Sequence, residues 1–163
     1  MKSILHISRT MGQGGAEQVV YQLATSLTDE FENIIVASTG GQKVSDLEEN
    51  GVNHINIDDI ESKNFFKIIK NIQIFIRCIQ RYKITHVHSH HRMGLLYCQL
   101  IRRIYPNIRF YYTAHNIFSN NNNFYKILIK NVNIVAVGES VKQHLINDVK
   151  VNNNINVIYN GVS

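Results

Sequence analysis

Read as hydrophobic and polar positions, the chain alternates short apolar runs with stretches of helical period. The run Ile4 to Ser8 stops at a glycine loop, and Ala16 to Leu27 then spaces Val19, Val20, Leu23, Ala24 and Leu27 as a helix does. The unit recurs. Asn33 to Ser38 reads as a buried strand, Ser45 to Asn50 as a short helix ended by Gly51, and Val52 to Ile57 as a third strand. From Lys63 to Lys83 the period predicts the longest helix, with Phe65, Ile68, Ile69, Ile72, Phe75, Ile76, Ile79 and Tyr82 on its core face. Strands at Ile84 to His88, Ile108 to Thr113, Ile134 to Val137 and Asn156 to Tyr159 follow, with helices at Met93 to Ile104, Phe124 to Lys130 and Val141 to Ile146 between them. Strands this apolar have no wet face. Their alternation with helices predicts a doubly wound α/β domain, with a mainly parallel, Rossmann-like sheet covered on both sides. Ligands in such sheets collect at the carboxyl ends of the strands.

Composition narrows the picture. With 163 residues, 44% of them hydrophobic, the chain can bury one sizeable core, so residues 1–163 are expected to form a single domain. Cys78 and Cys98 fall inside helical patterns and read as buried free thiols, which fits a reducing compartment. Ile4, Leu5 and Ile7 are too short a run for a secretory signal, and no stretch approaches the ~18 apolar residues of a membrane span. A cytoplasmic protein is expected. The net charge of +5 points to an anionic partner, which could be nucleic acid, a phosphorylated small molecule or a lipid surface.

The glycine loop is the first chemical signal. Gly12, Gly14 and Gly15 allow a tight turn and let backbone N–H groups approach a ligand, while the helix that follows points its positive end at the same place. A phosphate suits that position. The dinucleotide fingerprint is not met, because Glu17 stands where its third glycine belongs and no acidic residue closes the second strand to take a ribose hydroxyl. A Walker loop is excluded, since no Gly-Lys-Ser/Thr follows. The plainer reading is a strand-to-helix turn in which Glu17 complements the helix terminus.

Histidines are the second signal. The stretch "THVHSHH" puts His86, His88 and His90 on one face, and His115 falls just beyond another strand. A zinc site is not expected, because no Cys, Asp or Glu stands at ligand spacing nearby. His86 reads as a satisfied histidine packed under a helix, whereas His90 and His115 fall where the strands open into the ligand crevice. Asparagine runs at Asn120 to Asn123 and Asn152 to Asn154 mark loops.

Taken in order, the glycine loop ending in Ala16–Glu17, "VHSH" after the fourth strand, "TAH" after the fifth, "VAVGES" before a helix and a closing "VIYNGVS" resemble the N-terminal half of a family 4 glycosyltransferase of GT-B architecture. The resemblance implies transfer of a sugar from a nucleotide-sugar donor to a glycan or lipid-linked acceptor, with retention of anomeric configuration and no required metal or cofactor. It implies that Gly12, Gly14 and Gly15 approach the donor diphosphate with Glu17 in support, and that His115 contacts the transferred sugar. His90, Glu139 and Ser140 would line the cleft, and Asn160 and Gly161 would lead into a second domain. That domain would carry a glutamate pair eight positions apart, which is absent here, so the chain is expected to be the acceptor-side half of an enzyme and inactive alone. Cell-surface polysaccharide or glycolipid assembly is the implied setting. Two other readings stay open: a non-catalytic sugar-phosphate binding module, and a metal-dependent hydrolase built on His88, His90 and His115.

On the long helix Lys63, Lys67, Lys70, Arg77 and Arg81 fall in one stripe, with Ile74 in its middle. A solvated outer face is the plain reading. Attachment to an anionic membrane, on the inner face where the chain would sit peripherally, is the sharper one. Nucleic-acid binding is not expected, because exposed aromatics should interleave the cations, and Phe65, Phe75 and Tyr82 read as core-facing.

Overall fold

The computed structural model describes residues 1–118, 120–153 and 155–158. Strands β1 (Ser3–Ile7), β2 (Asn33–Ser38), β3 (Asn53–Asn56), β4 (His86–Ser89), β5 (Arg109–Ala114), β6 (Asn133–Ala136) and β7 (Ile155–Val157) form one sheet in the order β3-β2-β1-β4-β5-β6-β7. Every pairing is parallel. The order reverses direction at β1, so β1 and β4 flank the switch point at which such sheets open a crevice.

Helices α1 (Gly15–Ser26), α2 (Val44–Glu49), α3 (Phe65–Tyr82), α4 (Gly94–Ile104), α5 (Asn122–Leu128) and α6 (Glu139–His144) connect the strands, and a π-helical turn, Leu145–Val149, prolongs α6. Each element anticipated from the pattern is present, with ends displaced by at most two residues over the described part. Tyr159, at the end of the expected last strand, lies outside the described residues.

Strand alternation divides the apolar residues between two cores. On one face Leu5, Ile7, Val87, Phe110, Tyr112 and Ile134 pack under α3, α4 and α5. On the other, Ile4, Ile34 and Val36 meet Val20 and Ala24 of α1 and Leu47 of α2. His6, His86, His88, Tyr111 and Thr113 share the parity of that second face, since each pairs in register with a neighbour of the same parity. The sheet is therefore mainly apolar on its first face, while its second face is mainly apolar under β2 and the start of β1 and carries a polar band that runs from His6 of β1 across β4 and β5.

The long helix departs from its expected face. Asn64 caps it, its Oδ1 accepting from the N–H groups of Phe66 at 3.0 Å and Lys67 at 3.3 Å, and Lys83 ends it with φ of 53°. Asn71, Phe75, Cys78 and Ile79 are the buried positions, while Phe65 is 69% exposed and Ile69 is also exposed. The core reaches only the later turns, so the first turn projects past the sheet. The basic stripe is also broken: Lys70 Nζ pairs with Asp58 at 3.6 Å, and Ile74 packs onto the core rather than facing solvent among the cations.

Asn122 and Asn123 open α5 instead of lying in a loop, with Asn121 in the left-handed region at φ of 56°. Asn153 does act as a loop tie, donating to the carbonyls of Ile129 at 3.1 Å and Val132 at 2.8 Å. Cys78 and Cys98 are buried free thiols, and burial pushes both up to about 12.

Candidate functional site

The glycine loop leaves β1 at the switch point and is held by the loop that follows β2. Ser8 N–H donates to Ala37 O at 3.0 Å, Met11 N–H to Gly40 O at 2.9 Å, and Lys43 N–H to Met11 O at 2.9 Å. Gly40 and Gly41 take φ of 104° and 149°, and a Cβ on Gly41 would run into the Met11 carbonyl and the Gly12 nitrogen. Two glycines that pattern reading passed over thus set the loop in place. Their signal was a Gly-Gly pair directly after a buried strand, the same signal that drew attention to the first loop.

Gly14 is the N-cap of α1, with the Gln18 N–H donating to its carbonyl at 3.1 Å. The Glu17 carboxylate folds back over Gly14 and accepts the Thr10 hydroxyl at 2.6 Å. At Gly12 and Gly15 the space a side chain would fill is open, and Gly14 and Gly15 are exposed. The loop therefore shows unshielded backbone and a helix terminus to solvent, a natural seat for an anion, with an acidic side chain at its margin.

Beside the loop stands a histidine cluster. His6 and His88 are register partners on β1 and β4, and His88 and His90 share one face, their rings stacked at 4.0 Å between centroids. The His6 Nδ1 and His90 Nε2 atoms lie in hydrogen-bond contact at 3.0 Å, and His88 Nε2 meets Thr113 Oγ1 at 2.7 Å. His115 follows β5, its ring 6.1 Å from that of His90. Burial holds His6 down to about 4 and pushes His88 and His90 well below the usual range, the latter two being further depressed by the neighbouring histidines. His115 is lowered by burial, with the Glu17 carboxylate acting against that shift. These imidazoles are neutral near pH 7, so they offer hydrogen bonds rather than charge.

Among the described residues, the grouping that could hold a metal differs from the trio of the alternative hydrolase reading. Ring nitrogens of His6, His88 and His90 lie within 4.8 Å of one another, so His6 takes the place foreseen for His115. His6 fell outside the sequence reading because its neighbour in space is 82 positions away on the next strand, and a lone strand histidine gives no spacing signal. This trio could gather a borderline cation such as zinc. Its facing nitrogens are nevertheless joined to each other, between His6 and His90, and to Thr113. His86 stands apart, half-buried, with Nδ1 against Thr85 Oγ1 at 2.8 Å and its ring stacked on Tyr111 rather than packed under a helix.

Glu139 and Ser140 open α6 after β6 and are exposed, with Glu139 Oε1 accepting from Gln143 at 3.0 Å. Asn160 and Gly161 lie outside the described residues. The loop after β5 is tied to α6 by His144, which accepts from the Phe118 N–H through Nε2 at 3.3 Å and therefore donates from Nδ1 to Asp148 at 2.8 Å. On the other side of the crevice Arg9 grips Asp59 in a two-pronged contact at 3.1 Å and reaches Glu61 at 3.1 Å, which in turn meets His91 at 3.1 Å. Arg9, Asp59, Glu61 and His91 join the loops after β1, β3 and β4 across residues far apart in sequence, and no periodic pattern marked them.

The glycine loop, His90, His115, Glu139 and Ser140 thus all lie at the carboxyl edge of one parallel sheet. A model of Glycosyltransferase Family 4 matches residues 13–163. The chain belongs to glycosyltransferase family 4. Its fold is similar to a glycosyltransferase from Rickettsia africae at 28% identity and a TM-score of 0.79, the alignment covering 99% of this chain and 44% of that one. HepE of Anabaena, solved with UDP and glucose, superposes with a TM-score of 0.78 at 16% identity, covering all of this chain and 45% of the other. Sucrose-phosphate synthase of Thermosynechococcus elongatus gives 0.80 at 14% identity, covering all of this chain and 49% of the other. The chain spans less than half the length of each of these proteins. No curated protein matches it. The family assignment and the parallel seven-stranded sheet agree with the resemblance drawn from the five short motifs.

Proposed function

We propose that this domain forms the acceptor-side half of a retaining glycosyltransferase, which moves a sugar from a nucleotide-sugar to a glycan or lipid-linked acceptor in cell-surface polysaccharide or glycolipid assembly. The observation that carries the proposal is the joint placement of the exposed glycine loop at the start of α1 and of neutral His115 within the electrostatic reach of Glu17, both at the carboxyl edge of the sheet. The N–H groups of Gly14 and Gly15, with the α1 terminus, stabilise charge that grows on the departing diphosphate, and Gly12 leaves room for its approach. His115, held neutral by burial, hydrogen-bonds the sugar as it transfers. Glu17 positions the loop through Thr10 and must yield ground to an arriving anion, because its carboxylate lies over Gly14. His90, Glu139 and Ser140 line the acceptor path.

Nucleotide recognition belongs to the second domain. The solved relative that binds UDP and glucose supports a nucleotide-sugar donor, and no step here draws on a metal ion. The protein works in the cytoplasm, with the cleft presented to acceptors at the inner membrane face; no described helix is long and apolar enough to cross a membrane.

His115→Ala in the enzyme carrying both domains tests the reading. The expected result is a fall in kcat on the order of 100-fold with KM changed only a few-fold, since the lost contact belongs to the transition state. An unchanged kcat removes His115 from the reaction.

A further inference from the structure

Two adjacent phenylalanines stand out at the first turn of α3. Phe65 is 69% and Phe66 81% exposed, their rings in edge contact with centroids 6.0 Å apart. The Asn64 cap fixes the turn from which they project, so they cannot fold back onto the core, whose contact with the helix begins at Ile68. Ile69 at 38% extends the apolar surface by one further turn. Because α3 runs antiparallel to the strands, its start lies at the carboxyl edge, the edge that bears the glycine loop and His115.

The charge around this turn has one sign. The first turn contains no acidic residue, and among the described residues Lys63 and Lys67 make no ion pair. The nearby acidic residues are already engaged: Asp58 by Lys70, Asp59 by Arg9, and Glu61 by Arg9 and His91. Across a small pocket of about 230 Å³ Lys63 faces Arg92 and Phe124, and Phe124 is itself 45% exposed. Aromatic rings that project beyond unpaired lysines suit the interface of a bilayer, where rings enter the acyl boundary and ammonium groups meet anionic headgroups.

The geometry points to an end-on membrane contact, in which Phe65 and Phe66 insert into the interface of an anionic bilayer and Lys63 and Lys67 bind its headgroups, turning the carboxyl edge of the sheet toward the lipid. This replaces the flat basic stripe. Lys70 is paired, Ile74 belongs to the core, and Arg77 lies on the order of 15 Å farther along the axis than Lys67, beyond the reach of the same headgroups at physiological salt. The contact stands independently of the sugar-transfer reading, since binding is measured without donor or acceptor.

The chain contains no tryptophan, so Phe66→Trp introduces a sole indole reporter. With vesicles of phosphatidylglycerol and phosphatidylcholine, its emission is expected to shift to the blue and to be quenched by lipids brominated near the headgroup. Phe65→Ala/Phe66→Ala is expected to lower vesicle partitioning roughly tenfold or more, and Lys63→Glu/Lys67→Glu to remove the part that salt screens. Both pairs lie on exposed positions, so their fold should match wild type by circular dichroism. Unchanged emission with the protein left in the supernatant at low salt overturns the inference. So does loss of binding on Arg77→Glu/Arg81→Glu alone, which would restore the flat stripe, or a blue shift that grows with protein concentration in the absence of vesicles, which would assign the patch to a protein partner.

Discussion

Each residue of the histidine cluster contributes to a pH dependence whose direction follows from burial. His6 is held at about 4 against an ordinary value of 6.5, so between those values the unfolded chain takes up a proton that the folded chain refuses. Stability is therefore complete above pH 6.5 and declines as pH falls toward 4, by up to about 3 kcal/mol from this group alone. His88 and His90 act in the same direction. Urea unfolding at pH 7.5 and pH 5 should show a marked loss of stability for the wild type and a shallower one for His6→Gln; parallel losses would contradict the assignment. At this scale the sequence revealed the residues that sit in runs. His88, His90 and His115 were legible because strand alternation and strand ends can be counted along the chain. His6, Arg9 and His144 were not, because their partners come from β4, the β3–α3 loop and the β5–α5 loop, and no spacing along the chain encodes a pairing across strands.

Elements were more legible than contacts. Helical period and apolar runs located the strands and helices because both are local consequences of which side chains need burial. What the period could not give was where the core ends. The stripe on α3 extended to Phe65 in sequence, but the sheet supports only its later turns, and that limit depends on strand length and the β3–α3 loop. The same loop depends on Asn71, whose side chain accepts from the Asp58 N–H at 2.8 Å and donates to the Asp58 carbonyl at 2.9 Å and to the Tyr97 hydroxyl at 3.1 Å. Asn71→Leu should destabilise the domain by about 2–4 kcal/mol, since it strands buried backbone groups while adding apolar volume that cannot bond them. Gly41→Ala should cost about 1–3 kcal/mol through its φ of 149° and its collision with the Met11 carbonyl. Chemical denaturation checks both, and a change under 0.5 kcal/mol at either position, within the ordinary scatter of surface substitutions, would remove that residue from the loop architecture.

For the whole molecule the question is which edge of the sheet meets the substrates. A surface pocket of about 860 Å³ lies at the opposite edge, where Lys126, Lys130 and Asn131 border the starts of β6 and β7. Size would favour it, but it joins no group from the glycine loop or the histidine cluster, whereas the carboxyl edge gathers both at the switch point. The topology was legible in outline, since strands alternating with helices leave few arrangements. The strand order, which decides that β1 and β4 are neighbours and so creates the crevice, came only from the fold. Amide hydrogen exchange on the enzyme carrying both domains, with and without a nucleotide-sugar, tests the central claim most directly. The account predicts slower exchange on donor binding at residues 12–18 and 114–117. Unchanged exchange in both segments, with protection instead around Lys126 to Asn133, would contradict it.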